Sequence, residues 1–248
     1  MNQKHLYSLL LISLLFIISC AKNKNIDEMN DVELFNHAEL LYKDKSYEDA
    51  IEAYEKLKNN YPKSDLALQA EIKICHAYFD DDKYLESAEC YKGFKELHPS
   101  YAEIEFVYYR LALSYYLDSP KSVDRDQTNL VNALSDFTEF EKFFPQSKYI
   151  AEVQEKIHDS RTRIAKKEFL IANFYFNRGE YKAAIYRYNL LLSEYSGMDL
   201  NEEAMYKLGF SYYKLNKPQK AQEVFTQFLE KYPTSKFLED VQEILAGL

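Results

Sequence analysis

Apolar and aromatic residues recur along this chain in short clusters at helical spacing, and the clusters repeat. Four of them end in proline, at Pro62, Pro99, Pro145 and Pro233, within NNYPKS, ELHPSY, FFPQSK and KYPTSK. Ser196, in EYSGMD, fills the same slot. Twelve residues before each slot stands a small side chain: Ala50, Ser87, Ala133, Ala184 and Ala221. Eight before stands an aromatic ring: Tyr54, Tyr91, Phe137, Tyr188 and Phe225. Five before come Leu57, Phe94, Phe140, Leu191 and Phe228, and one before come Tyr61, His98, Phe144, Tyr195 and Tyr232. A small residue, a ring one turn later and a proline exit describe a helix that packs closely at its start and stops at its end. Twelve positions ahead of the first small residue lies a second, at Ala38, Cys75, Ala172 and Gly209, which belongs to a preceding helix. The third unit breaks this phase because its connection carries an insertion. The predicted fold is all-α, with five helix pairs and a last helix over 236–248 that closes the open end.

The unit resembles the tetratricopeptide repeat. Its last copy reads Leu208-Gly209-x-x-Tyr212, then Ala221-x-x-x-Phe225, then Pro233, with Met205 where the repeat carries Trp. The resemblance implies a superhelical solenoid of five tetratricopeptide-like pairs with a C-terminal capping helix. Such solenoids offer a concave groove to extended or helical segments of other proteins. The intervals between proline slots are 37, 46, 51 and 37 residues. The longer second interval falls in LDSPKSVDRDQTN, a loop by composition. The third adds 14 residues, close to the ~14.4 of four helical turns, so it lengthens a helix without rotating its apolar face. The run 148–177 has no Gly or Pro and reads as one helix of roughly 40–45 Å. It divides a three-repeat half, 32–147, from a two-repeat half, 148–248.

Composition supports helix. The 248 residues hold only five Gly and six Pro, with 23 Tyr, 16 Phe and no Trp. The formal net charge of −9 argues against a nucleic-acid partner and against electrostatic membrane binding, since both demand clustered Lys and Arg.

The N-terminus carries a different pattern. An apolar run, Leu6 to Ile18, follows Lys4 and ends at Ser19-Cys20, where the chain turns polar. The run is shorter than the ~20 residues that cross a bilayer and has the length of a secretory signal. Ile17-Ile18-Ser19-Cys20 resembles the bacterial lipobox. That resemblance implies cleavage after residue 19, acylation of Cys20 and anchorage by several acyl chains. Ala21 is similar to the outer-membrane sorting class. Residues 1–19 are then a signal peptide and 20–31 a lipidated N-terminus and tether.

Motifs for chemistry are missing. There is no phosphate loop, dinucleotide turn, His-Glu-x-x-His or nucleophile elbow. His37, His76 and His158 lack metal-ligand spacing, and His98 fills an aromatic repeat slot. Asp80-Asp81-Asp82 reads as a solvated turn. No enzyme, cofactor or metal is expected. Cys75 and Cys90 stand on the two helices of one repeat, and either a disulfide or two small buried thiols suits them. Arg187 is the unusual residue of the repeat surface, because the other units carry Ala53, Cys90, Asp136 and Val224 in its slot. A long cation there either reaches solvent or pairs with a partner.

Several stretches resemble one family, the BamD outer-membrane assembly lipoproteins. They are Asp124-Arg125-Asp126, Ala133-Leu134-Ser135-Asp136-Phe137, Phe144-Pro145-x-Ser147-x-Tyr149, Ile164-Ala165-Lys166-Lys167-Glu168 and Tyr175-Phe176-x-Arg178-Gly179. The resemblance implies a lipid-anchored scaffold on the periplasmic side of the outer membrane. Its partners are a BamA-like barrel insertase, other assembly lipoproteins and unfolded outer-membrane proteins. Arg187 and the loop Asp124-Arg125-Asp126 become partner-binding candidates, with Asp126 also near a helix N-cap. Tyr42, Tyr78 and Tyr108 become candidates for a substrate groove. A pilotin-type or other envelope tetratricopeptide lipoprotein, escorting secretin or pilus subunits, shares the anchor and the repeats. A glycan-binding lipoprotein would need exposed Trp platforms.

Overall fold

The computed structural model describes residues 25–248. The expected signal peptide and Cys20 lie outside the described residues. A short 3-10 turn, Ile26–Glu28, precedes eleven α-helices, and no strand occurs among the described residues. The helices are α1 (Asp31–Lys43), α2 (Tyr47–Asn60), α3 (Asp65–Asp80), α4 (Tyr84–Leu97), α5 (Ile104–Asp118) and α6 (Thr128–Phe143). They continue as α7 (Ile150–Asn177), α8 (Tyr181–Glu194), α9 (Asn201–Lys214), α10 (Pro218–Lys231) and α11 (Leu238–Ala246). The order is five successive pairs and a last short helix, the all-α tetratricopeptide-like fold that the repeat predicts.

The repeat slots are the core. All five small residues and all five rings one turn later are 0% exposed. Ala38, Cys75 and Ala172, the small residues of the first helices, are equally buried. The third unit has its own copy at Ala112, also fully buried and nine residues further from Ala133 than the twelve of the other units. Six of the nine extra residues lie in the connection 119–127, which has nine residues where the other pairs have three, and the rest lengthen the flanking helix ends, so the helix contact stays intact. Where small residues meet, helices approach closely: Ser87 Oγ on α4 lies 3.0 Å from Ser114 Oγ on α5.

Two turn types repeat as well. The residue ahead of each proline slot is a C-cap with φ between −128° and −126° and ψ between 50° and 62°. Its N–H donates to the carbonyl four residues back, and the ring at His98, Phe144 and Tyr232 packs on the ring there, at 4.7, 5.2 and 5.3 Å. Tyr195 takes this conformation ahead of Ser196, so the docked C-cap side chain sets the exit and proline only reinforces it. Within pairs, the residue five before the small slot is left-handed: Lys45, Asp82, Gly179 and Asn216 have φ of 62°, 58°, 76° and 54°. This is the C′ position that ends a helix, and Gly179 and Asn216 are the residue types that announce it in the sequence.

The described residues divide into two compact units, 25–77 and 78–248. In the first, α1 packs on α2. Asn30 and Glu33 close a capping box on α1, at 2.9 and 2.8 Å. The stretch before α1 is held down. Lys56 pairs with Asp27, Tyr61 donates to Met29 O at 2.9 Å and Ser64 to Asp31 at 2.6 Å. In the second unit each helix from α4 onward packs on the next, and α5 touches α7 as α7 touches α9. This is the one-dimensional stacking of a repeat array. The 28-residue α7 rises ~42 Å, as its lack of breakers predicts. Val241 seats α11, a shorter cap than 236–248, against Phe225 and Phe228. Cys75 and Cys90 are both disulfide-bonded.

One polar contact appears twice. Tyr54 donates to Glu39, and Lys73 lies 2.8 Å from that carboxylate. Tyr188 donates to Asn173 Oδ1 at 2.7 Å, where Lys207 also donates at 2.7 Å. In both, the acceptor stands 15 residues before the tyrosine and the lysine 34 after the acceptor.

Candidate partner-binding site

The insertion places its charged triplet between α5 and α6. Asn129 at the start of α6 donates to Asp118 at the end of α5, at 2.5 Å, which closes the mouth of the loop. Inside it, buried Gln127 donates from Nε2 to Pro120 O at 3.1 Å and to Ser122 O at 2.8 Å. Because that side chain turns inward, Gln127 occupies the N-cap of α6 without bonding to it. Asp126, expected near the cap, sits one residue earlier and accepts from the N–H and hydroxyl of Thr128, at 3.3 and 2.9 Å. Ser122 donates to the Asp124 carboxylate and holds its pKa below the usual range.

The loop is fastened to α7 by two cations one turn apart, an arrangement that the sequence did not reveal. Arg163 Nη2 donates to Pro120 O at 2.5 Å, Ser119 Oγ at 3.1 Å and Gln127 Oε1 at 3.4 Å. Its Nη1 reaches Asp159 at 3.5 Å, which in turn accepts from Tyr116 at 2.8 Å. The Arg163 side chain is only 14% exposed. Lys167 Nζ donates to Arg125 O at 2.9 Å.

Arg187 lies on α8, apart from that loop in sequence. Its Nη1 pairs with Glu168 Oε2 of α7 at 3.0 Å, with the arginine side chain one-third exposed and the glutamate 17% exposed. It is neither a free cation nor a buried one, and its outer face borders the exposed ring of Tyr186.

Asp136 fills the same repeat slot on α6. Burial pushes its carboxyl up to about 6; Lys95 pulls it down and Glu139 pushes it up. Lys95 Nζ is 3.9 Å from Asp136, 3.1 Å from Glu139 and 4.5 Å above the Tyr108 ring. A carboxyl whose pKa is raised on folding destabilises the folded state once it ionises. Stability is therefore lost as pH rises from about 4 to about 6. Asp136→Asn is expected to stabilise the protein at pH 7.5 by about 1 kcal/mol, after discounting for the solvent that reaches the group, and to do nothing at pH 4. Urea unfolding at the two pH values checks this.

The tyrosines expected in a groove have separate surroundings. Tyr42 faces a cavity of about 630 Å³ with Leu40, Lys43, Lys45, Tyr47 and Lys73. Lys73 Nζ is 5.4 Å from its ring centre. Tyr108 packs edge-on against Phe143 and Phe144 at 5.9 and 5.4 Å. Tyr78 is half-buried near the end of α3. A further cavity of about 450 Å³, which the sequence did not single out, lies among α8, α9 and α10 and is lined by Leu192, Met205, Tyr212, Lys220 and Lys231.

Stacked helix pairs, with charged and aromatic groups held on their loops and grooves, define a tetratricopeptide-like repeat protein. Residues 27–224 match the profile of the family YfiO, outer membrane lipoprotein, and the chain belongs to that family. It is similar to the outer membrane protein assembly factor BamD of Rickettsia prowazekii (strain Madrid E), 29% identical over 242 residues, 96% of this chain and 95% of that one. The protein of the same name from Neisseria meningitidis serogroup A is 28% identical over 247 residues, 93% of this chain and 92% of that one. Among solved structures, the TPR2AB domain of yeast Sti1, in its pHSP90 complex, aligns with 82% of this chain and 78% of its own, at 13% identity and a TM-score of 0.42. Among the described residues, no helix is long and apolar enough to cross a membrane.

Proposed function

We infer that this protein is a scaffold lipoprotein of the outer-membrane β-barrel assembly machinery, without catalytic activity. The observation that carries this reading is the family match over 27–224, together with relatives that are named assembly factors and covered almost end to end. Cys20 is the acylated anchor, and the repeats stand on the periplasmic side. The protein binds a BamA-like insertase through Arg187 and the loop Asp124-Arg125-Asp126. It also meets other assembly lipoproteins and unfolded outer-membrane proteins, the latter near Tyr42, Tyr78 and Tyr108. The partly exposed Arg187 guanidinium and the fixed loop support this assignment, because both present charge that is already ordered.

Purification of the tagged protein in mild detergent, with the co-purifying chains identified by mass, tests the function. A barrel protein with soluble periplasmic repeats is expected. Secretin or pilus subunits in its place would refute the assembly role. Cys20→Ala is expected to move the protein from the membrane fraction to the soluble one on fractionation. Where the insertase's soluble domains bury and pair that charge, Arg187→Glu is expected to weaken their binding by roughly 2–5 kcal/mol, read by calorimetry. Unchanged affinity would leave Arg187 only its ion pair with Glu168.

A further inference from the structure

We propose that Arg163, assisted by Lys167, is the positioning residue that holds the Asp124-Arg125-Asp126 loop in its docking conformation. The proposal rests on the reading of that loop as a partner contact.

The loop 119–127 has no regular structure, and a nine-residue insertion of this kind ordinarily samples many backbone conformations. Here its two ends and its middle are tied to one helix. A single guanidinium nitrogen of Arg163 gathers Ser119, Pro120 and Gln127, the residues that begin and end the loop. Gln127 then passes the constraint inward by donating to Pro120 O and Ser122 O. One helical turn further along α7, Lys167 holds Arg125 O, in the triplet itself. The Arg163 guanidinium is turned inward, and the partly exposed Lys167 ammonium is engaged by the loop backbone. Arg163 is 14% exposed and directs its two terminal nitrogens to the loop and Asp159. The triplet's own side chains stay on the surface: Asp124, Arg125 and Asp126 are all partly or fully exposed. The helix thus supplies the clamp and the loop supplies the contact. Binding a loop that is already ordered avoids the entropy of ordering it, so loosening the clamp should weaken association without removing any contacting group.

Only a guanidinium can make this clamp. Its planar fork reaches loop and Asp159 together, whereas an ammonium is a single point donor. Arg163→Lys therefore keeps the charge and loses the geometry.

The test compares Arg163→Ala, Arg163→Lys, Lys167→Met and the triple variant Asp124→Ala/Arg125→Ala/Asp126→Ala in the full chain. Hydrogen exchange of the loop amides is read first, since it needs no partner, and affinity for the insertase's soluble repeats second. The expected result for Arg163→Ala is at least tenfold faster exchange at 121–126 with α7 still protected, and about tenfold weaker binding. Arg163→Lys should fall between it and the parent, and Lys167→Met should speed exchange at Arg125 and Asp126 alone. Unchanged loop exchange in Arg163→Ala would overturn the clamp. Faster exchange with parental affinity, while the triple variant loses binding, would overturn the positioning role and leave the contact reading standing. Parental binding by the triple variant would overturn the contact reading and this proposal with it. Should Arg163→Ala fail to fold, Gln127→Ala, which removes the inner half of the same clamp, is read against the same outcomes.

Discussion

Gly209→Val is expected to destabilise the C-terminal repeats by about 3 kcal/mol, the cost of overpacking a closed helix contact. A Cβ on Gly209 would lie 2.5, 2.8 and 2.9 Å from three ring carbons of Phe225. That ring is 0% exposed and packs with Phe228 and Val241, so it has nowhere to retreat. An opposing effect exists, since glycine inside a helix costs about 1 kcal/mol relative to alanine. Valine recovers only part of that, and the steric cost exceeds it. Gly209→Ala is accordingly expected to be milder and still unfavourable. Urea unfolding measures both. Phe225→Leu, which opens space at the same point, should rescue Gly209→Val. The double variant would then be more stable than the sum of the single changes predicts. Additive effects would mean that the ring and the glycine are not in contact.

Asn173→Leu is expected to cost about 1–3 kcal/mol, because it leaves a buried hydroxyl without its acceptor. Tyr188 is fully buried, and burial holds its phenol pKa well above the usual range. Its hydroxyl would lose the Asn173 acceptor, while Lys207 would keep Glu203 at 2.6 Å. Most of the cost should therefore lie with Tyr188. Asn173→Leu with Tyr188→Phe is expected to recover the larger part, since replacing both partners by apolar groups is nearly neutral. The chain contains the apolar version of this contact. In the last repeat the same intervals lead from Phe225 to Phe210 and Ile244, which pack together in one core. Failure of the double variant to recover would show that Lys207, not Tyr188, depends on Asn173.

Much of the fold was legible because the repeat writes packing distance directly into side-chain size. Ala50, Ser87, Ala133, Ala184 and Ala221 are small wherever two helices must touch, and all are fully buried. The length of α7 was legible for a similar reason, since a whole number of turns inserted into a helix preserves its face. The polar contacts also left a pattern. Tyr54 and Tyr188 are preceded at 15 residues by Glu39 and Asn173, whereas Phe225 is preceded by Phe210. That correlation lies in the sequence, but it acquires meaning only once the repeat is aligned. The turns were less legible. Lys45, Asp82 and Asn216 adopt positive φ without being glycine, since the helices on either side impose the reversal.

The candidate site divides differently. Arg187 stood out as a cation in a slot of other residue types, but its partner Glu168 could not be named, because 19 residues separate them and only the α7–α8 pairing joins them. Arg163 gave no sign at all. On a helix rich in charge it reads as one more solvated side chain, and its acceptors are backbone and side-chain atoms of a loop 36–44 residues away. The raised pKa of Asp136 likewise depends on burial against α4 and α5, which no local spacing encodes. The sequence by itself determined the helices, their pairing order and the family, because those follow from side-chain size and periodicity within each repeat. The tertiary structure alone decided which charges are paired inside the protein and which stay exposed, because that depends on distances between residues remote in the chain.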